Sequence, residues 1–588
     1  MLLETLSRYW GYSSFRPLQE QAMNAALSGR DSLVVMPTGG GKSLCFQAPA
    51  LEKESVTVVV SPLISLMKDQ VDTLIACGAP AAMMNSSQAP HEQRATERAL
   101  LDGKIKLLFV SPERLSLPQF RALLQRANAK TFAIDEAHCI SHWGHDFRPE
   151  YRQLRELRSE FPDASVHAYT ATATPQVRRD IVDQLALRDP LLLVGNFDRP
   201  NLIYRILPKR DELRQIVEVL ERHRGESGII YCIRRKDVDE LALQLVKRGW
   251  NARAYHAGMT SDERHAAQDA FAKEQCDVVV ATVAFGMGID RSNVRFVLHT
   301  AMPKSIEHYQ QETGRAGRDG LEAECVLLYS AADAMTWRSM ITGDHETKLL
   351  NDLDRYLSGT MCRHRALVEY FGQQYTAEAC TACDLCLGET EDVSEGTVMA
   401  QKILSCVYRL NQSWGVGHVI SVLRGENTEK IRERRHNTLS TFALLKGCSR
   451  NELRDLIWQL IGQGFVEQSG DEFPVLKLTQ RSRAVLRGEE EVRLRQPIAA
   501  TKKRAAKASL QFDGPVDAAL FQTLREWRRG EADERGVPPY IIFSDRTLRE
   551  IARAKPSTLS ELRDVYGVGD AKLEAFGSAV IAVVTQAS

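Results

Sequence analysis

The sequence lacks every segment that would place the protein in a membrane or in an oxidising compartment. Its 588 residues contain no run of about 18 apolar residues, and the start, MLLETLSRYWGYSSF, has no basic stretch followed by a long apolar core. Most of its twelve cysteines stand singly, which is typical of reduced thiols and not of a disulfide framework. We therefore expect a soluble intracellular protein.

The sequence also lacks an excess of charge of either sign. Its 76 basic and 76 acidic side chains cancel, which excludes a globally basic body, so a nucleic-acid partner would have to be bound by local patches. The hydrophobic share of 44% is enough for packed cores. A chain of this length should divide into about four to five domains.

Short apolar runs alternate with longer helical patterns in two stretches of the chain. SLVVM, VTVVVSP, IKLLFVSP, TFAID and VHAYTAT recur between residues 32 and 172; GIIYC, ARAYHA, DVVVATVAFG, VRFVLHT and ECVLLYS follow a link around 198–207. Runs that are apolar throughout indicate strands of a parallel sheet with helices on both faces. The sequence thus predicts two α/β lobes of similar size, and a helical pattern beyond about residue 337.

Residues 492–512 form a basic stretch without an acidic residue. We interpret it as a flexible linker, with a nuclear-targeting signal as the alternative. Its basic residues are Arg493, Arg495, Lys502, Lys503, Arg504 and Lys507.

The run MPTGGGKS, residues 36–43, follows a predicted strand and precedes a helical pattern. Backbone N–H groups of such a loop close round phosphates, Lys42 can reach the β and γ oxygens, and the Ser43 hydroxyl can ligate Mg²⁺. The usual first glycine is replaced by Met36, and a glycine-rich turn with a chance lysine is the alternative. The residues that we assign to ATP binding in this loop are Thr38, Gly39, Gly40, Gly41, Lys42 and Ser43.

An acidic pair closes the predicted strand TFAID. Asp135 is placed to hold Mg²⁺ through water, and Glu136 to polarise the attacking water. An acidic pair after a strand is often only a helix cap. The pair indicates a catalytic role only in combination with the loop at 36–43. Together the two elements predict an ATP-hydrolysing site.

The second lobe offers positive charge for the same reaction. The run QETGRAGRDG, residues 311–320, carries Arg315 and Arg318 three residues apart, on neighbouring positions if the run is helical. Taken alone, the run 311–320 is better explained as a solvated charged helix than as part of a catalytic site. If the arginines act on the transferring phosphoryl group, ATP lies between the lobes and draws them together, and we place Gln311 at the nucleotide too.

Four cysteines are clustered, in contrast to the others. Cys362 is followed after seventeen residues by Cys380, Cys383 and Cys386, which form two CxxC steps. Four thiolates in this arrangement favour a closed, structural Zn²⁺ site. A redox centre or part of an iron–sulfur cluster is the alternative.

Taken together, the motifs resemble those of the RecQ family of superfamily-two DNA helicases. The resemblance spans most of the first 390 residues and extends through the helical units behind them. It is carried by GYSSFRPLQEQ, MPTGGGKS, VVSPLISLMKDQV, SPERL, DEAHC followed by ISHWGHDFRPEY, TATATP, YHAGM, ATVAFGMGID, QETGRAGRDG and the cysteine cluster.

The resemblance implies an α/β fold of two RecA-like parallel-sheet lobes, followed by a helical zinc-binding subdomain, a winged helix and a small all-helical HRDC-like domain. We place the lobes at residues 1–200 and 201–336. The further boundaries are 337–398 for the zinc-binding subdomain, 399–490 for the winged helix, 491–514 for the basic linker and 515–588 for the HRDC-like domain.

The resemblance also assigns roles to residues that carry no signal of their own. It implies that Gln19 hydrogen-bonds the adenine edge while Tyr12 and Arg16 stack on its faces, which amide and guanidinium chemistry permits. Without the resemblance, Gln19 reads as a surface helix residue.

The segment after DEAH is implied to be an aromatic-rich loop that contacts single-stranded DNA and couples it to hydrolysis. Trp143 and Phe147 offer rings to bases of any sequence, and Arg148 can meet a phosphate, with His142 beside them. The alternative is that these aromatic residues anchor a loop in the core.

The C-terminal units are implied to bind nucleic acid. Four arginines of the winged helix are assigned as phosphate contacts: Arg424, Arg434, Arg435 and Arg450. FVEQSGDEFPVLKLT would be the wing hairpin, and its short, acidic tip argues against a strong strand-wedge role. In the tail, GVGDAK (residues 567–572) is either a phosphate-approaching turn or only a tight turn.

We thus expect an ATP- and Mg²⁺-dependent helicase that moves 3′ to 5′ and unwinds forked, tailed and recombination-type DNA in repair and recombination. The alternatives are an RNA helicase or remodeller with the same motor, and an ATP-gated DNA clamp. Single-stranded and duplex DNA are the expected partners, with a single-strand-binding protein and a type IA topoisomerase as family-level expectations. We expect a cytoplasmic, nucleoid-associated bacterial monomer without a membrane partner.

Overall fold

A computed structural model describes residues 1–85, 88–144, 146–286, 291–341, 343–469, 475–497 and 516–587 of the chain. Residues 498–514 of the predicted linker and residues 470–474 at the tip of the predicted wing hairpin lie outside the described residues. In the described ranges, no helix is long and apolar enough to cross a membrane.

Lobe 1 is built on a parallel sheet of seven strands in the order β3-β4-β2-β5-β6-β1-β7. Alternate residues of a strand enter different core clusters, Leu33 and Val35 one and Val34 the other, because helices cover both faces of the sheet. The strands are β1 (Ser32–Val35), β2 (Thr57–Val60), β3 (Ala81–Met84), β4 (Leu107–Val110), β5 (Thr131–Ile134), β6 (Ser165–Thr170) and β7 (Leu191–Val194). The helices are α1 (Leu2–Trp10), α2 (Gln19–Ser28), α3 (Leu44–Glu52), α4 (Ile64–Ala76), α5 (Pro90–Leu101), α6 (Pro112–Leu115), α7 (Pro118–Arg126), α8 (Pro149–Arg152), α9 (Leu157–Glu160) and α10 (Pro175–Gln184).

Lobe 2 repeats this plan with six parallel strands in the order β10-β11-β9-β12-β13-β8. The two parallel-sheet lobes expected from the apolar runs are confirmed. The strands are β8 (Leu202–Pro208), β9 (Ser227–Tyr231), β10 (Ala252–Tyr255), β11 (Val278–Ala281), β12 (Val294–His299) and β13 (Ala323–Tyr329). The helices are α11 (Glu212–Arg222), α12 (Arg235–Lys247), α13 (Ser261–Ala272), α14 (Ile306–Thr313) and α15 (Ala331–Arg338).

The link predicted around residues 198–207 is wrong for most of its length, because β8 occupies it. This strand pairs with β13 from Leu202 to Pro208. Its burial alternates along the strand, so it lacks the continuous apolar run that marks the other strands. Its outer edge is covered by the cysteine cluster, since Tyr204 N donates to Ala382 O at 3.0 Å and Asp384 N donates to Tyr204 O at 2.9 Å.

The elements after lobe 2 form a helical subdomain and a winged-helix unit. The helical subdomain contains α16 (Asp344–Ser358) and α17 (Arg363–Tyr370). The winged-helix unit contains β14 (Thr390–Asp392), α18 (Gly396–Arg409), α19 (Val416–Arg424), α20 (Glu429–Glu433), α21 (Arg450–Gly462), β15 (Val466–Ser469), β16 (Val475–Leu478), α22 (Gln480–Arg487) and β17 (Arg495–Pro497). β15 pairs with β16 in antiparallel register, which confirms the predicted hairpin.

The start of the predicted basic linker is folded, which corrects that interpretation. Val492 and Leu494 are buried in the winged-helix core, and β17 pairs antiparallel with β14. Arg495 Nε lies 3.2 Å from Asp392 Oδ1. Val492 and Leu494 alternate with charged residues, so their side chains point to the opposite face of the chain and are buried. The basic composition of the segment did not reveal these two apolar residues.

The C-terminal helices enclose a core of their own. They are α23 (Ala518–Arg535), α24 (Pro539–Ile542), α25 (Asp545–Ala554), α26 (Leu559–Arg563) and α27 (Asp570–Ala587). We call them the C-terminal unit.

A buried arginine joins the C-terminal unit to lobe 2. Arg528 is fully buried and donates to Asp545 Oδ1 within the unit at 2.7 Å and to Glu274 Oε1 of lobe 2 at 2.9 Å. Asn293 Nδ2 donates to the same Glu274 oxygen at 2.9 Å. Because buried charges are costly when they are left unpaired, this network fixes where the unit docks.

The same unit also contacts lobe 1. The backbones of Gly11, at the end of α1, and Gly569, before α27, are so close that a Cβ on Gly11 would lie 2.9 Å from Gly569 Cα. Gly11 also has a φ of 72°. Both the close approach of the two backbones and this left-handed conformation favour glycine at this position. The GVGDAK turn therefore packs against lobe 1, and the C-terminal unit contacts both lobes.

Glu274→Ala tests this docking. The variant leaves the buried Arg528 with one acidic partner instead of two, and removing one partner of a buried pair typically costs about 3–5 kcal/mol. We expect faster hydrogen exchange in α23 than in the unaltered chain. Glu240→Ala, which removes an exposed pair with Lys236 at 3.5 Å, should leave the exchange unchanged. Equal exchange in both variants would show that the buried pair does not hold the unit in place.

Candidate functional site

The loop at residues 36–43 connects β1 to α3, as a phosphate-binding loop requires. Gly39 and Gly41 have φ values of 84° and 80°, a backbone conformation that turns successive N–H groups toward a common point. Lys42 Nζ donates to Met36 O at 3.1 Å. Burial lowers the pKa of Lys42, and the nearby carboxylates of Glu136 and Asp135 oppose that shift.

The acidic pair lies directly after β5, at the same edge of the sheet. Asp135 is buried, and burial, followed by the charge of Glu136, raises its pKa to about 7. Asp135 Oδ1 accepts from Glu136 N at 3.0 Å, and Asp135 Oδ2 accepts from Gln70 Nε2 at 3.4 Å. The carboxyl is thus held rigidly next to Lys42, in a setting that favours a cation beside it.

Glu136 adopts a left-handed backbone conformation, with φ at 47°. Non-glycine residues in this region carry strain and are frequent at functional sites. His138 Nδ1 lies 3.3 Å from Glu136 Oε2 and 2.9 Å from Thr170 Oγ1. His138 therefore lies between the glutamate and Thr170 at the end of β6.

Lobe 2 reaches the phosphate loop through the turn after α14. A Cβ on Gly314 would lie 3.1 Å from Thr38 Cβ, and a Cβ on Gly39 would lie 3.6 Å from Arg318 Cα. Arg199 holds this turn, donating through Nη1 to Gly314 O at 2.8 Å. The structure thus brings Arg318 to the loop, and its charge contributes to the lowered pKa of Lys42.

Arg315 and Gln311 lie on the lobe 2 side of this contact. Arg315 is buried, and a Cβ on Gly286 would lie 3.0 Å from Arg315 Nη2. Gln311 is half-buried in α14. Both arginines lie beyond the end of α14 at Thr313, so they are not on one helical face.

The residues expected at adenine hold the phosphate loop from its other side. Gln19 is buried, and its Nε2 donates to Gly41 O at 3.2 Å while its Oε1 accepts from Arg16 N at 2.8 Å. Arg16 Nη1 donates to Gly39 O at 2.5 Å. Tyr12 is half-buried beside α1. A ligand that contacts these side chains would therefore act directly on the loop.

The aromatic-rich loop follows the acidic pair and differs in exposure along its length. The His142 and Phe147 rings pack with centroids 3.9 Å apart. Arg148 Nη1 donates to Pro62 O at 3.0 Å, and Arg148 Nη2 lies 3.2 Å from Asp146 Oδ2. Trp143, in contrast, is 47% exposed and is available for stacking.

The four clustered cysteines meet as the spacing predicts. Their sulfur atoms all lie within 4.8 Å of one another, and a tetrahedral zinc site with Zn–S bonds of about 2.3 Å needs sulfurs about 3.8 Å apart. The donor set therefore fits Zn²⁺. His364 is not needed as a ligand, because its Nδ1 lies 2.6 Å from Asp198 Oδ1 and its Nε2 lies 3.1 Å from Leu202 O.

Two of the arginines assigned in the winged helix share one acidic partner. Arg424 Nη1 donates to Glu426 Oε1 at 2.8 Å, and Arg450 Nη1 pairs with Glu426 Oε2. This sharing reduces the charge that each arginine offers to a phosphate. Arg434 and Arg435, which the sequence also assigns as phosphate contacts, are exposed, and so is Arg432, which it does not assign.

Three residues of the site carried no assignment from sequence. Gln70 contacts Asp135, His138 contacts Glu136, and Arg199 holds the turn that carries Arg318. Gln70 lies within VVSPLISLMKDQV and His138 within DEAHC, so their positions in motifs were signals. Arg199 had none.

Comparison with known families assigns most of the chain. The DEAD/DEAH box helicase model matches residues 16–181, and the model of the helicase conserved C-terminal domain matches residues 208–320. The RecQ zinc-binding model matches residues 331–387, the RQC domain model residues 390–503, and the HRDC domain model residues 517–584.

Curated proteins are similar along the whole chain. The ATP-dependent DNA helicase RecQ of Haemophilus influenzae is 44% identical over 99% of this chain and 96% of that protein. The protein of the same name from Bacillus subtilis is 41% identical, over 97% of this chain and 96% of that protein. The ATP-dependent helicase SGS1 of Saccharomyces cerevisiae is 35% identical over 86% of this chain and 37% of that protein.

Asp135→Asn should increase stability in the absence of nucleotide and divalent metal. A carboxyl whose pKa rises on folding, here from 3.8 to about 7, stabilises the fold below pH 4 and loses that contribution as the pH rises through 7. The amide has no such loss, so we expect the variant to be more stable at pH 8 by at most about 4 kcal/mol, and equally stable near pH 4. Urea unfolding at both pH values measures this. Asp102→Asn, at an exposed carboxylate paired with Lys104, is the control, and an equal effect there would contradict the assignment.

Cys383→Ser should lower the zinc content, because the closed site loses a thiolate ligand. We expect less than one zinc per chain by elemental analysis and a lower melting temperature, since the cluster also pairs with β8. Cys448→Ser, a cysteine outside the cluster, should retain the metal. A stable, zinc-free Cys383→Ser protein would refute a structural role for the metal.

Proposed function

Because this chain belongs to the RecQ family, we propose that it is an ATP-dependent DNA helicase that moves 3′ to 5′ along a single strand. It unwinds forked, tailed and recombination-type DNA in repair and recombination. The observation that carries the proposal is the contact between the phosphate loop of lobe 1 and the Gly314–Arg318 turn of lobe 2, at residues 38–39.

The chemistry proceeds from the residues that line this contact. Lys42 and the N–H groups of residues 39–43 bind the β and γ phosphates, and Arg318 stabilises negative charge as the γ-phosphoryl group leaves. Arg315, buried behind the same turn, supports it. Glu136, oriented by His138, accepts the proton of the attacking water.

Asp135 and Ser43 are the residues that would hold Mg²⁺. The bound cation would neutralise the phosphate oxygens and favour the ionised form of Asp135, whose pKa is raised to about 7 by burial and by Glu136. Gln19, Arg16 and Tyr12 recognise adenine, with Gln311 across the cleft. Since Gln19 and Arg16 also bond the phosphate loop, adenine binding is communicated to it directly.

DNA acts on the same site through the aromatic-rich loop. Trp143, with His142, Phe147 and Arg148, contacts the single strand, and its exposed ring stacks on a base. Residues 137–140 form a tight turn that leads from Glu136 into this loop. A shift of the loop therefore reaches the catalytic glutamate over a few residues.

The remaining units hold and position the duplex. The zinc cluster stabilises the helical subdomain, and Arg424 and Arg450 of the winged helix contact phosphates of duplex DNA. By family resemblance, we further propose a monomer that is cytoplasmic and associated with the nucleoid. On the same ground, a single-strand-binding protein and a type IA topoisomerase are its partners.

Steady-state ATPase assays with and without single-stranded DNA test the proposal. We expect strong stimulation by DNA, loss of all hydrolysis in Lys42→Ala, and, in Trp143→Ala, intact ATP binding with most of the stimulation lost. Leu243→Ala, a similarly exposed residue of lobe 2, is the matched control and should behave as the unaltered chain does.

Unwinding assays complete the test. A duplex with a 3′ tail should open and one with a 5′ tail should not. Stimulation by RNA instead of DNA would indicate an RNA remodeller. DNA-stimulated hydrolysis without strand separation would indicate an ATP-gated clamp.

A further inference from the structure

We propose that the first turn of α16, residues 344–346, competes with single-stranded DNA for Trp143, with His345 occupying the indole in the absence of DNA. The inference rests on the proposed function, because it concerns how DNA reaches the sensor loop. It assigns a regulatory contact to a segment outside the motor motifs.

The contact joins two distant parts of the chain. Trp143 lies in the aromatic-rich loop of lobe 1, and His345 lies on α16, after lobe 2. Their ring centroids are 5.4 Å apart with the planes at 87°, an edge-to-face pair. His345 Nε2 is buried and has no hydrogen-bond partner among the described residues, so the ring pair is not reinforced there by a polar bond.

The geometry excludes a base between the two rings as they stand. A sandwiched base needs parallel rings roughly 7 Å apart, twice the 3.4 Å spacing of stacked bases. The observed rings are closer than this and perpendicular. A strand that stacks on this side of Trp143 must therefore displace His345.

The charges of the turn favour competition over a two-sided clamp. Asp344 and Glu346 flank His345 and are both exposed. Two exposed carboxylates next to His345 in sequence disfavour the approach of the phosphates of a strand that stacks on the indole.

The strengths of the two contacts allow DNA to displace His345 from Trp143. An edge-to-face ring pair contributes a factor of about 2 to 10 to an equilibrium, whereas a base stacked on an aromatic side chain contributes a factor of about 5 to 150. The contact is therefore strong enough to hold the loop without DNA and weak enough to be displaced by a bound strand.

Displacement of His345 from Trp143 would affect the ATP site, because the aromatic-rich loop packs tightly on the turn that carries His138. Trp143 N donates to Ser141 Oγ at 3.1 Å. A Cβ on Gly144 would lie 2.5 Å from His138 O, so the chain next to Trp143 packs closely against that turn. His138 in turn contacts Glu136.

Titration of the full-length protein with an oligothymidine strand tests the inference, with ATPase rate and fluorescence anisotropy as readouts. In His345→Ala, we expect the DNA concentration for half-maximal stimulation to fall about 2- to 10-fold, with the rate at saturating DNA unchanged. His345→Phe is the matched control: it keeps an aromatic edge against Trp143 and should stay within about twofold of the unaltered chain. Asp344→Asn with Glu346→Gln should also lower the half-maximal concentration, more at low salt than at high salt.

Unchanged or weaker DNA binding in His345→Ala would overturn the inference, and weaker binding would make His345 a DNA contact. Hydrogen exchange of residues 141–144 without DNA provides a test that does not depend on the helicase activity. Exchange should be faster in His345→Ala than in His345→Phe, and equal exchange would overturn the inference. If the unaltered chain showed no stimulation by DNA while this exchange difference appeared, the proposed function would fail and the ring contact would stand.

Discussion

The placement of Lys42, Asp135 and Glu136 together at one edge of the lobe 1 sheet is the constraint on which the rest of the site depends. Removing charges from water is costly, and the opposite pKa shifts of Lys42 and Asp135 reflect that cost. Parallel strands meet this edge with their carboxyl ends, which is why β1 and β5 deliver these groups to one place. A ligand that brings phosphate and a divalent cation offsets this cost. Nucleotide binding should therefore also raise the free energy of unfolding of lobe 1.

Lobe 2 completes this site through the backbone as much as through charge. Gly314 lies against Thr38, and Gly39 lies against Arg318, so at each of these two points one lobe presents a glycine to a residue of the other. Arg199 keeps the lobe 2 turn in shape from behind. Small changes in lobe orientation therefore move Arg318 relative to the phosphate loop, which suits a motor driven by opening and closing.

Local sequence patterns predicted the parts of the fold that depend on residues close together in the sequence. The central strands are apolar throughout, the phosphate loop has its glycines and lysine in order, and the cysteine spacing fits the observed cluster. The edge strands β3 and β7 were not predicted although they are apolar throughout, because AAMM and LLLV consist mostly of residues that favour helices. β8 alternates in burial because its successive side chains point to opposite faces of the sheet, and the pairing of its outer edge with the cysteine cluster is a contact that local sequence cannot show. Arg199 and Trp143–His345 likewise depend on contacts between distant segments.

Arg528 and Glu274 are separated by 254 positions, and neither stands in a motif. Their pairing means that lobe 2 and the C-terminal unit are not independent modules. A chain cut before α23 would keep Glu274 and Asn293 but lose Arg528, and the Glu274 carboxylate, which is buried in the intact protein, would be uncovered on the surface of lobe 2. Truncation would therefore alter the motor as well as remove a domain, and a shortened protein would be compared fairly with the intact one only if Glu274 were neutralised at the same time.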